Sequence, residues 1–355
     1  MGRGSTFCCF CGDPPTRGAD RPAFAAYASQ NGDKDDDIES YYSAIQDSPI
    51  RRSIGASVPL DDSCKLRPCW SAVEPDRFLL RIGPNYSSTN AKAPSLAALY
   101  DSIGVDCFRD PTAIVGKVAH TLQFPQVPHF YDPSCGMPAL LVLCAQIPCE
   151  LPNLFGRSLD FGVSFVLYFM IRKETVDWGK RVTEILQKTD AGSSAIPRID
   201  TLPDSEYLKF ADITKAAGVP PAVRLFRKLL DRGYSDKKLA LKGIGILRDF
   251  EKQKIPMSGI FKKYNGKPGT ITASATFHAS QHPYSYLEVD FDIRKWNILA
   301  RTAFPQLKDT LKDLSADLGL VVEGSADEDL PERLLGSLTV HGLDWTRAHR
   351  FDAST

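Results

Sequence analysis

The first twelve residues, MGRGSTFCCFCG, hold side chains whose types and spacing suggest chemistry. Gly2 follows the initiator methionine and a threonine stands four residues later, which matches the M-G-x-x-x-[ST] pattern of N-myristoylation. Because one myristoyl chain binds membranes only marginally, stable anchoring needs a second signal. Cys8, Cys9 and Cys11 offer thiols for palmitoylation close by. The sequence therefore predicts a lipid-modified N-terminus.

Two other interpretations of this segment stay open. Arg3 is a bulky cation directly beside the glycine, which leaves thiol acylation alone, or no modification, as alternatives. Cys8 and Cys11 also form a C-x-x-C pair that Cys64 and Cys69 could complete as a zinc site. The second pair is widely spaced and far from the first, so we predict neither a metal nor a cofactor.

Polar residues elsewhere in the chain do not form a known catalytic motif. Glu288, Asp290 and Asp292 alternate along one strand, which is more typical of a solvated strand face than of a cation site. His278 and His282 lie in a hairpin, where their rings need not converge. No nucleophile elbow, phosphate-binding glycine loop or zinc-hydrolase helix is present. We expect a protein that is not an enzyme, and a hydrolase or transferase remains the alternative because triads are assembled in space.

Composition excludes several classes of partner. Forty-three basic residues balance forty-three acidic ones, which removes the attraction that nucleic-acid binders need. The nine cysteines lie partly in apolar runs, which is typical of a reducing, cytoplasmic compartment. The most apolar run, FGVSFVLYFMI, has about half the ~20 residues that a membrane-spanning helix requires. Peripheral membrane association is the expectation.

Hydrophobic patterning predicts an α+β fold. ALLVLCAQIP and FGVSFVLYFMIR read as buried strands, and TITASATFHAS and YLEVDFDI alternate as a hairpin. A leucine spacing of three and four residues predicts an amphipathic helix from about Phe304 to Leu318, and DLPERLLG predicts a short final helix. We expect a curved antiparallel sheet with the long helix packed on one face.

The same patterns divide the chain. Residues 1–65 read as a disordered N-terminal arm and residues 347–355 as a disordered tail. Residues 66–346 form the predicted domain, with a helical excursion over residues 172–236 that contains VDWGKRVTEILQK and PAVRLFRKLLDRG.

The order of elements leaves two interpretations of the core open. One is a helix-grip-like arrangement around a hydrophobic cavity, and the other is a solid core built from the same elements. The large apolar residues that would line such a cavity are Phe165, Leu167, Phe169, Phe277, Phe291, Phe304 and Leu311.

Seven ordered blocks of the sequence resemble those of the plant-type enhanced disease resistance 2 protein, C-terminal domain family. The resemblance spans about residues 69 to 345, and the blocks are CWSAVEPDRFLLRIGPNYSSTNAKAPS, LCAQIP, VLYFMIR, KLALKGIG, YLEVDFDI, LVVEG and DLPERLLGSL. After DFDI the family usually has a glycine-serine turn, whereas this chain has Arg294, Lys295 and Trp296.

The resemblance implies a function without implying catalytic residues. Fuller plant members carry a pleckstrin-homology module and a lipid-binding START module ahead of this domain, and are associated with restraint of cell death and of pathogen defence. The 65 residues that precede the domain here are too short for either module. We therefore expect a non-enzymatic regulatory protein that binds membrane lipid or a hydrophobic small molecule. The alternative is a protein-interaction adaptor that uses Trp296, Arg294 and Lys295 or the helical excursion.

Overall fold

The computed structural model describes residues 52–153, 160–189, 198–232, 239–249, 258–280, 285–324 and 326–351. Within these ranges the chain forms two large β-sheets, two small two-stranded sheets and several helices. Gly2, Cys8, Cys9 and Cys11 lie outside the described residues. Residues 52–65, which the sequence analysis placed in the N-terminal arm, contribute strand β1 (Arg52–Ser53) and the buried side chain of Val58.

The first large sheet has six strands. Their order across the sheet is β11, β12, β7, β8, β5 and β15. Strand β8 is buried along its whole length, which explains why its sequence is a continuous apolar run rather than an alternating one. In chain order the strands are β5 (Tyr100–Arg109), β7 (Leu140–Ile147), β8 (Val163–Ile171), β11 (Ala275–Ser280), β12 (Tyr286–Asp292) and β15 (His349–Arg350).

The second large sheet has five strands, and every neighbouring pair is antiparallel. Their order across the sheet is β10, β9, β13, β14 and β2. The strands are β2 (Cys69–Ser71), β9 (Ala240–Leu247), β10 (Gly269–Thr270), β13 (Ser315–Glu323) and β14 (Leu334–His341). The small sheets pair β1 with β6 (Leu122–Gln123) and β3 (Leu79–Arg81) with β4 (Lys92–Pro94).

The two large sheets pack face to face, and one hydrophobic core contains residues of both inner faces. One close approach is between Phe169 of β8 and Gly336 of β14. A Cβ atom at position 336 would lie 2.5 Å from Cδ1 of Phe169. Because Phe169 is 1% exposed and cannot swing into solvent, only glycine fits at this crossing.

Helices cover the sandwich. They are α1 (Tyr86–Thr89), α2 (Lys173–Thr189), α3 (Asp204–Ala216), α4 (Pro221–Asp231), α5 (Ser258–Tyr264) and α6 (Ile298–Leu311). The helices predicted in VDWGKRVTEILQK and PAVRLFRKLLDRG are confirmed as α2 and α4. Phe226 of α4 meets Tyr100 of β5 edge to face, with ring centroids 6.0 Å apart. Among the described residues, no helix combines the length and apolarity that crossing a bilayer requires.

The position of the predicted long helix is wrong. Helix α6 begins at Ile298, where the side chain of Asn297 accepts a hydrogen bond from the backbone N–H of Ala300, and it ends at Leu311. Leu318 lies instead in β13, which pairs with β9 on one side and β14 on the other. The leucine spacing continues across the boundary between helix and strand, so periodicity alone could not locate it.

Two further expectations are corrected. DLPERLLG does not form a helix, because only Asp327–Asp329 make a 3-10 turn and β14 starts at Leu334, where the chain pairs with β13.

The single curved antiparallel sheet is replaced by two open sheets, and the six-stranded one contains the parallel pairs β7 with β12 and β5 with β15. The α+β class is correct, and a helix-grip-like fold is not confirmed.

The Phe169 and Gly336 crossing makes a prediction about stability. We expect Gly336→Ala to lower the free energy of unfolding by about 1–3 kcal/mol, because the added Cβ overpacks a site that is already closed. Urea unfolding measures this change. Gly259→Ala is the matched control, since nothing lies within 4 Å of its Cβ position and alanine favours a helix such as α5. Equal changes in the free energy of unfolding for Gly336→Ala and Gly259→Ala would contradict a close contact between Gly336 and Phe169.

Candidate functional site

A cavity of about 310 Å³ lies between the two large sheets. Its walls come from β7, β8 and β12 of the six-stranded sheet and from β9, β13 and β14 of the five-stranded sheet. Helix α6 supplies a further wall through Ala300, Ala303, Phe304, Leu307 and Leu311. The lining is almost entirely apolar.

Small residues at facing positions create this space. Gly243 and Gly245 of β9 and Ala145 of β7 line the cavity, as do Ala300 and Ala303 of α6. The nearest atom to a Cβ at position 245 would be Cδ2 of Leu318, at 3.9 Å, whereas a Cβ at position 243 would lie 3.2 Å from Cδ1 of Ile271. The sandwich is therefore tightly packed at Gly336 and open beside Gly245 of β9.

Three aromatic rings form one end of the cavity. The ring of Trp296 stacks on Phe291 with centroids 5.9 Å apart and planes 18° apart, and it meets Phe304 edge to face at 6.3 Å. Its indole N–H donates to Oγ of Ser274 at 2.6 Å, which satisfies the polar atom of a ring that otherwise faces apolar groups.

Apart from the indole groups of Trp296 and Trp345, the polar side chains of the lining lie at the end of α5 and just after it. Tyr264, Asn265 and Lys267 lie there, and among the described residues Lys267 is the one charged residue in the lining. The amide of Asn265 is fully engaged with the backbone of Leu247: its Oδ1 accepts from N–H at 2.7 Å and its Nδ2 donates to the carbonyl at 3.2 Å. Lys267 is solvent-exposed, so its ammonium group marks the mouth of the cavity.

The sequence-predicted cavity residues lie at or near this cavity. Phe277 of β11 packs against the same core but does not line it. The residues that line it are Phe165, Leu167, Phe169, Phe291, Phe304 and Leu311. Gly243 and Gly245 are not among the residues predicted to line the cavity, although two glycines inside a strand are a known signal of close approach or missing side-chain volume.

The surface that the adaptor hypothesis assigned to Trp296 and Arg294 is not an exposed one. Trp296 lines the cavity. The side chain of Arg294 is 12% exposed, pairs with Asp292 at 3.0 Å and donates to the backbone carbonyls of Asp160 and Phe161. Lys295 alone of the three is fully exposed.

The prediction that the acidic face of β12 is solvated is wrong. Glu288, Asp290 and Asp292 are 0%, 6% and 9% exposed. Glu288 accepts hydrogen bonds from the backbone N–H of Val118 at 2.8 Å and of Ala119 at 3.0 Å. The predicted alternation of the strand is correct. The segment that covers this face is far away in the sequence, so the local pattern could not predict that the face is buried.

Asp290 extends the same arrangement. Its Oδ2 accepts from the N–H of Lys117 at 2.9 Å and lies 3.4 Å from Nε2 of His278. These buried carboxylates therefore hold the segment around residues 117–119 against the outer face of the six-stranded sheet. Burial, together with the neighbouring Asp290 carboxylate, raises the pKa of Glu288 well above its usual range.

One group among the described residues has the composition of a cation site. Cys144, Glu288 and Asp290 each offer one ligand atom, and these atoms all lie within 4.8 Å of one another. Three backbone N–H groups donate to these carboxyl groups, two to Glu288 and one to Oδ2 of Asp290, whereas Oδ1 of Asp290 has no hydrogen-bond partner among the described residues. His282 and the cysteines of the N-terminal C-x-x-C lie outside the described residues.

The fold and cavity define an α+β sandwich protein with an apolar chamber between its sheets. The family model described as Protein ENHANCED DISEASE RESISTANCE 2, C-terminal, matches residues 70–344. The chain therefore belongs to this family, and the match includes every residue that lines the cavity except Trp345. No curated protein and no solved structure matches the chain.

The buried Glu288 makes a prediction about pH. A carboxyl whose pKa is raised by folding binds its proton more tightly in the folded state, so its contribution to the free energy of unfolding declines as pH rises above about 4.3 toward the folded-state pKa. Glu288→Gln removes this decline. It also mismatches one backbone N–H, which lowers stability at every pH by about 1–3 kcal/mol.

Urea unfolding of the wild type and of Glu288→Gln at a series of pH values measures the slope. The exposed Glu74→Gln is the control and should leave the slope unchanged. Parallel wild-type and Glu288→Gln curves would show that Glu288 titrates normally.

Proposed function

We propose that this protein binds a hydrophobic small molecule with a single acyl chain in the cavity between its sheets, and that it acts as a non-enzymatic, lipid-dependent regulator. The observation that supports this most directly is a cavity of about 310 Å³ with an apolar lining and one charged residue at its mouth. Ligand pockets span about 300–1,000 Å³, and this one is at the lower end, which favours one chain over a two-chain lipid.

The energetics of an empty chamber favour occupancy. The cavity opens to solvent beside Lys267, and apolar surface that faces water costs about 25 cal/mol per Å² relative to burial, so an acyl chain that fills the cavity stabilises the folded protein. Whole domains are stable by only about 5–15 kcal/mol. A ligand that fills the chamber recovers dispersion contacts that the lining residues otherwise lack.

Lys267 supports an anionic head group. An acyl chain in the apolar interior would place its head at the mouth, next to the ammonium group of Lys267. A carboxylate or phosphate there gains a charge-assisted interaction while it remains partly hydrated. The proposed ligand class is therefore an anionic single-chain lipid, of which a fatty acid is the simplest example.

The N-terminal segment would bring this domain to a membrane. Acylation of Gly2 and of Cys8, Cys9 or Cys11 would provide the two lipid signals that stable anchoring requires, on the cytoplasmic side of a bilayer. Plant relatives are associated with restraint of cell death and defence. This resemblance suggests that ligand occupancy regulates a signalling pathway of that kind.

The first test fills the cavity from α6. Ala303 is 4% exposed and lines the cavity, whereas the adjacent Thr302 does not line it. We expect Ala303→Leu to weaken binding of a fluorescent fatty acid by about tenfold or more, since a change of 1.4 kcal/mol is tenfold in affinity. Thr302→Leu is the matched control. Saturable binding that both variants retain equally would place the ligand elsewhere, and no binding by the wild type would overturn the proposal.

The second test concerns the head group. We expect Lys267→Met to weaken binding of a fatty acid several-fold at low salt and to leave binding of the corresponding methyl ester unchanged, because the ester carries no charge. Lys295→Met removes an exposed lysine that does not line the cavity and is the control. Competition against the same fluorescent probe measures both ligands. An equal loss for acid and ester would contradict a role for the lysine charge.

A further inference from the structure

His341 lies on the outer face of the five-stranded sheet, away from the cavity. It neighbours Val340, which lines the cavity, and successive residues of a strand point to opposite faces. The imidazole is 4% exposed. Its Nδ1 lies 2.8 Å from Oγ of Ser315, and its Nε2 lies 2.9 Å from Oγ of Ser71 and 3.3 Å from Sγ of Cys64.

Cys64 is held in a turn that presents its thiol to His341. The residue is half-buried, its φ is 55°, and its backbone N–H donates to the carbonyl of Asp61 at 3.1 Å. The Asp61 carboxylate accepts from the N–H groups of Ser63 and Leu66, which fixes the turn. A left-handed conformation is costly for a residue with a Cβ, and such strain concentrates at functional positions.

The hydrogen-bond pattern suits a proton acceptor. If Nδ1–H donates to the hydroxyl of Ser315, Nε2 carries a lone pair. This lone pair can accept a hydrogen bond either from the thiol of Cys64 or from the hydroxyl of Ser71. Burial and the nearby cations Arg248 and Arg67 lower the pKa of His341, so the resting ring is neutral and, once protonated, it gives its proton readily to a leaving oxygen.

The other ionisable groups around the pair form two networks. Asp317 is 0% exposed and pairs with Arg248 at 2.5 Å and with Arg77 at 2.9 Å. Asp61 accepts hydrogen bonds within the turn, and Cys69 is buried beside it, where burial raises the pKa of its thiol to about 11. Cys64, in contrast, is half-buried and next to an imidazole.

We propose that Cys64 and His341 form a reactive thiol site that is oxidised by hydroperoxides, with Ser315 as the positioning residue. The arrangement has a nucleophile next to a base and a third group that orients the base. The geometry suits acyl transfer less well, because the backbone N–H of Cys64 already donates to the carbonyl of Asp61 and is not free to stabilise an oxyanion. Peroxide cleavage needs only a thiolate and an acid for the leaving oxygen.

The step balances as follows. Nε2 of His341 takes the thiol proton, and Sγ of Cys64 attacks the terminal oxygen of the hydroperoxide. The S–O bond forms as the O–O bond breaks, and the departing oxygen takes the proton from Nε2 and leaves as water or an alcohol. The thiol is oxidised by two electrons to a sulfenic acid, and the peroxide is reduced.

Peptide-resolved labelling of the full chain tests the site. The protein is treated with hydrogen peroxide and a sulfenic-acid trapping reagent, and the rate of labelling is followed at each cysteine by mass spectrometry. We expect Cys64 to react fastest and His341→Gln to slow it about 100-fold, the scale of general acid–base catalysis. Cys149 is also half-buried and is the internal control, with an unchanged rate. Equal rates at Cys64 and Cys149, or no effect of His341→Gln, would overturn the proposal.

A second measurement does not depend on the folding of the histidine variant. The same peroxide labelling is repeated on variants of the positioning residue: Ser315→Ala should slow the oxidation of Cys64, and Ser315→Thr, which keeps the hydroxyl beside Nδ1, should restore the rate. An unchanged rate in Ser315→Ala, or no recovery in Ser315→Thr, would overturn the proposal. Fatty-acid binding should be unaffected in all these variants, which separates this site from the cavity.

Discussion

Contact between the inner faces of the two large sheets determines the rest of the molecule. At Phe169 and Gly336 the sheets approach so closely that no side chain fits between them. Phe169 also lines the cavity, so one ring closes the packed side of the sandwich and forms a wall of the open side. The sheets can stay apart along β9 because Gly243 and Gly245 place no side chains there. Helix α6, with alanines on its inner side, covers the space without filling it.

Buried acidic groups hold the connections in place. On the outer face of the six-stranded sheet, Glu288 and Asp290 bind the backbone around residues 117–119, and Asp106 accepts from the N–H groups of Gly55 and Ser57. Each carboxylate replaces lost hydration with backbone donors, which is what makes its burial tolerable. These carboxyl groups are therefore part of the architecture.

The strand alternation that builds the cavity also builds the second site. Along β14, Val340 faces the cavity and His341 faces outward, where it meets side chains from β2, β13 and the turn before β2. The two faces of one sheet thus carry unrelated chemistry, apolar within the sandwich and polar outside it. A change on one face leaves the other in position because the backbone ladder between them is shared.

The sequence by itself determined the family, the α+β class and the strands β7, β8, β11 and β12 of the six-stranded sheet, because these depend on local order. The alternation of YLEVDFDI identified which side chains share a face, and the apolar runs identified β7 and β8. It did not determine that Glu288 is buried, since burial depends on residues 117–119, far away in the chain. Nor could leucine spacing separate the end of α6 from the start of β13, because strand pairing outweighed the helical pattern.

The tertiary structure alone decided the two sites. The cavity exists because glycines of β9 and alanines of α6 meet across a gap, and no local pattern reports what faces a small residue. Cys64 and His341 are separated by 277 positions in the sequence and by 3.3 Å in space. Periodicity shows which way a side chain points, whereas a site depends on the groups that the side chain meets, and these are fixed only when distant segments of the chain pack together.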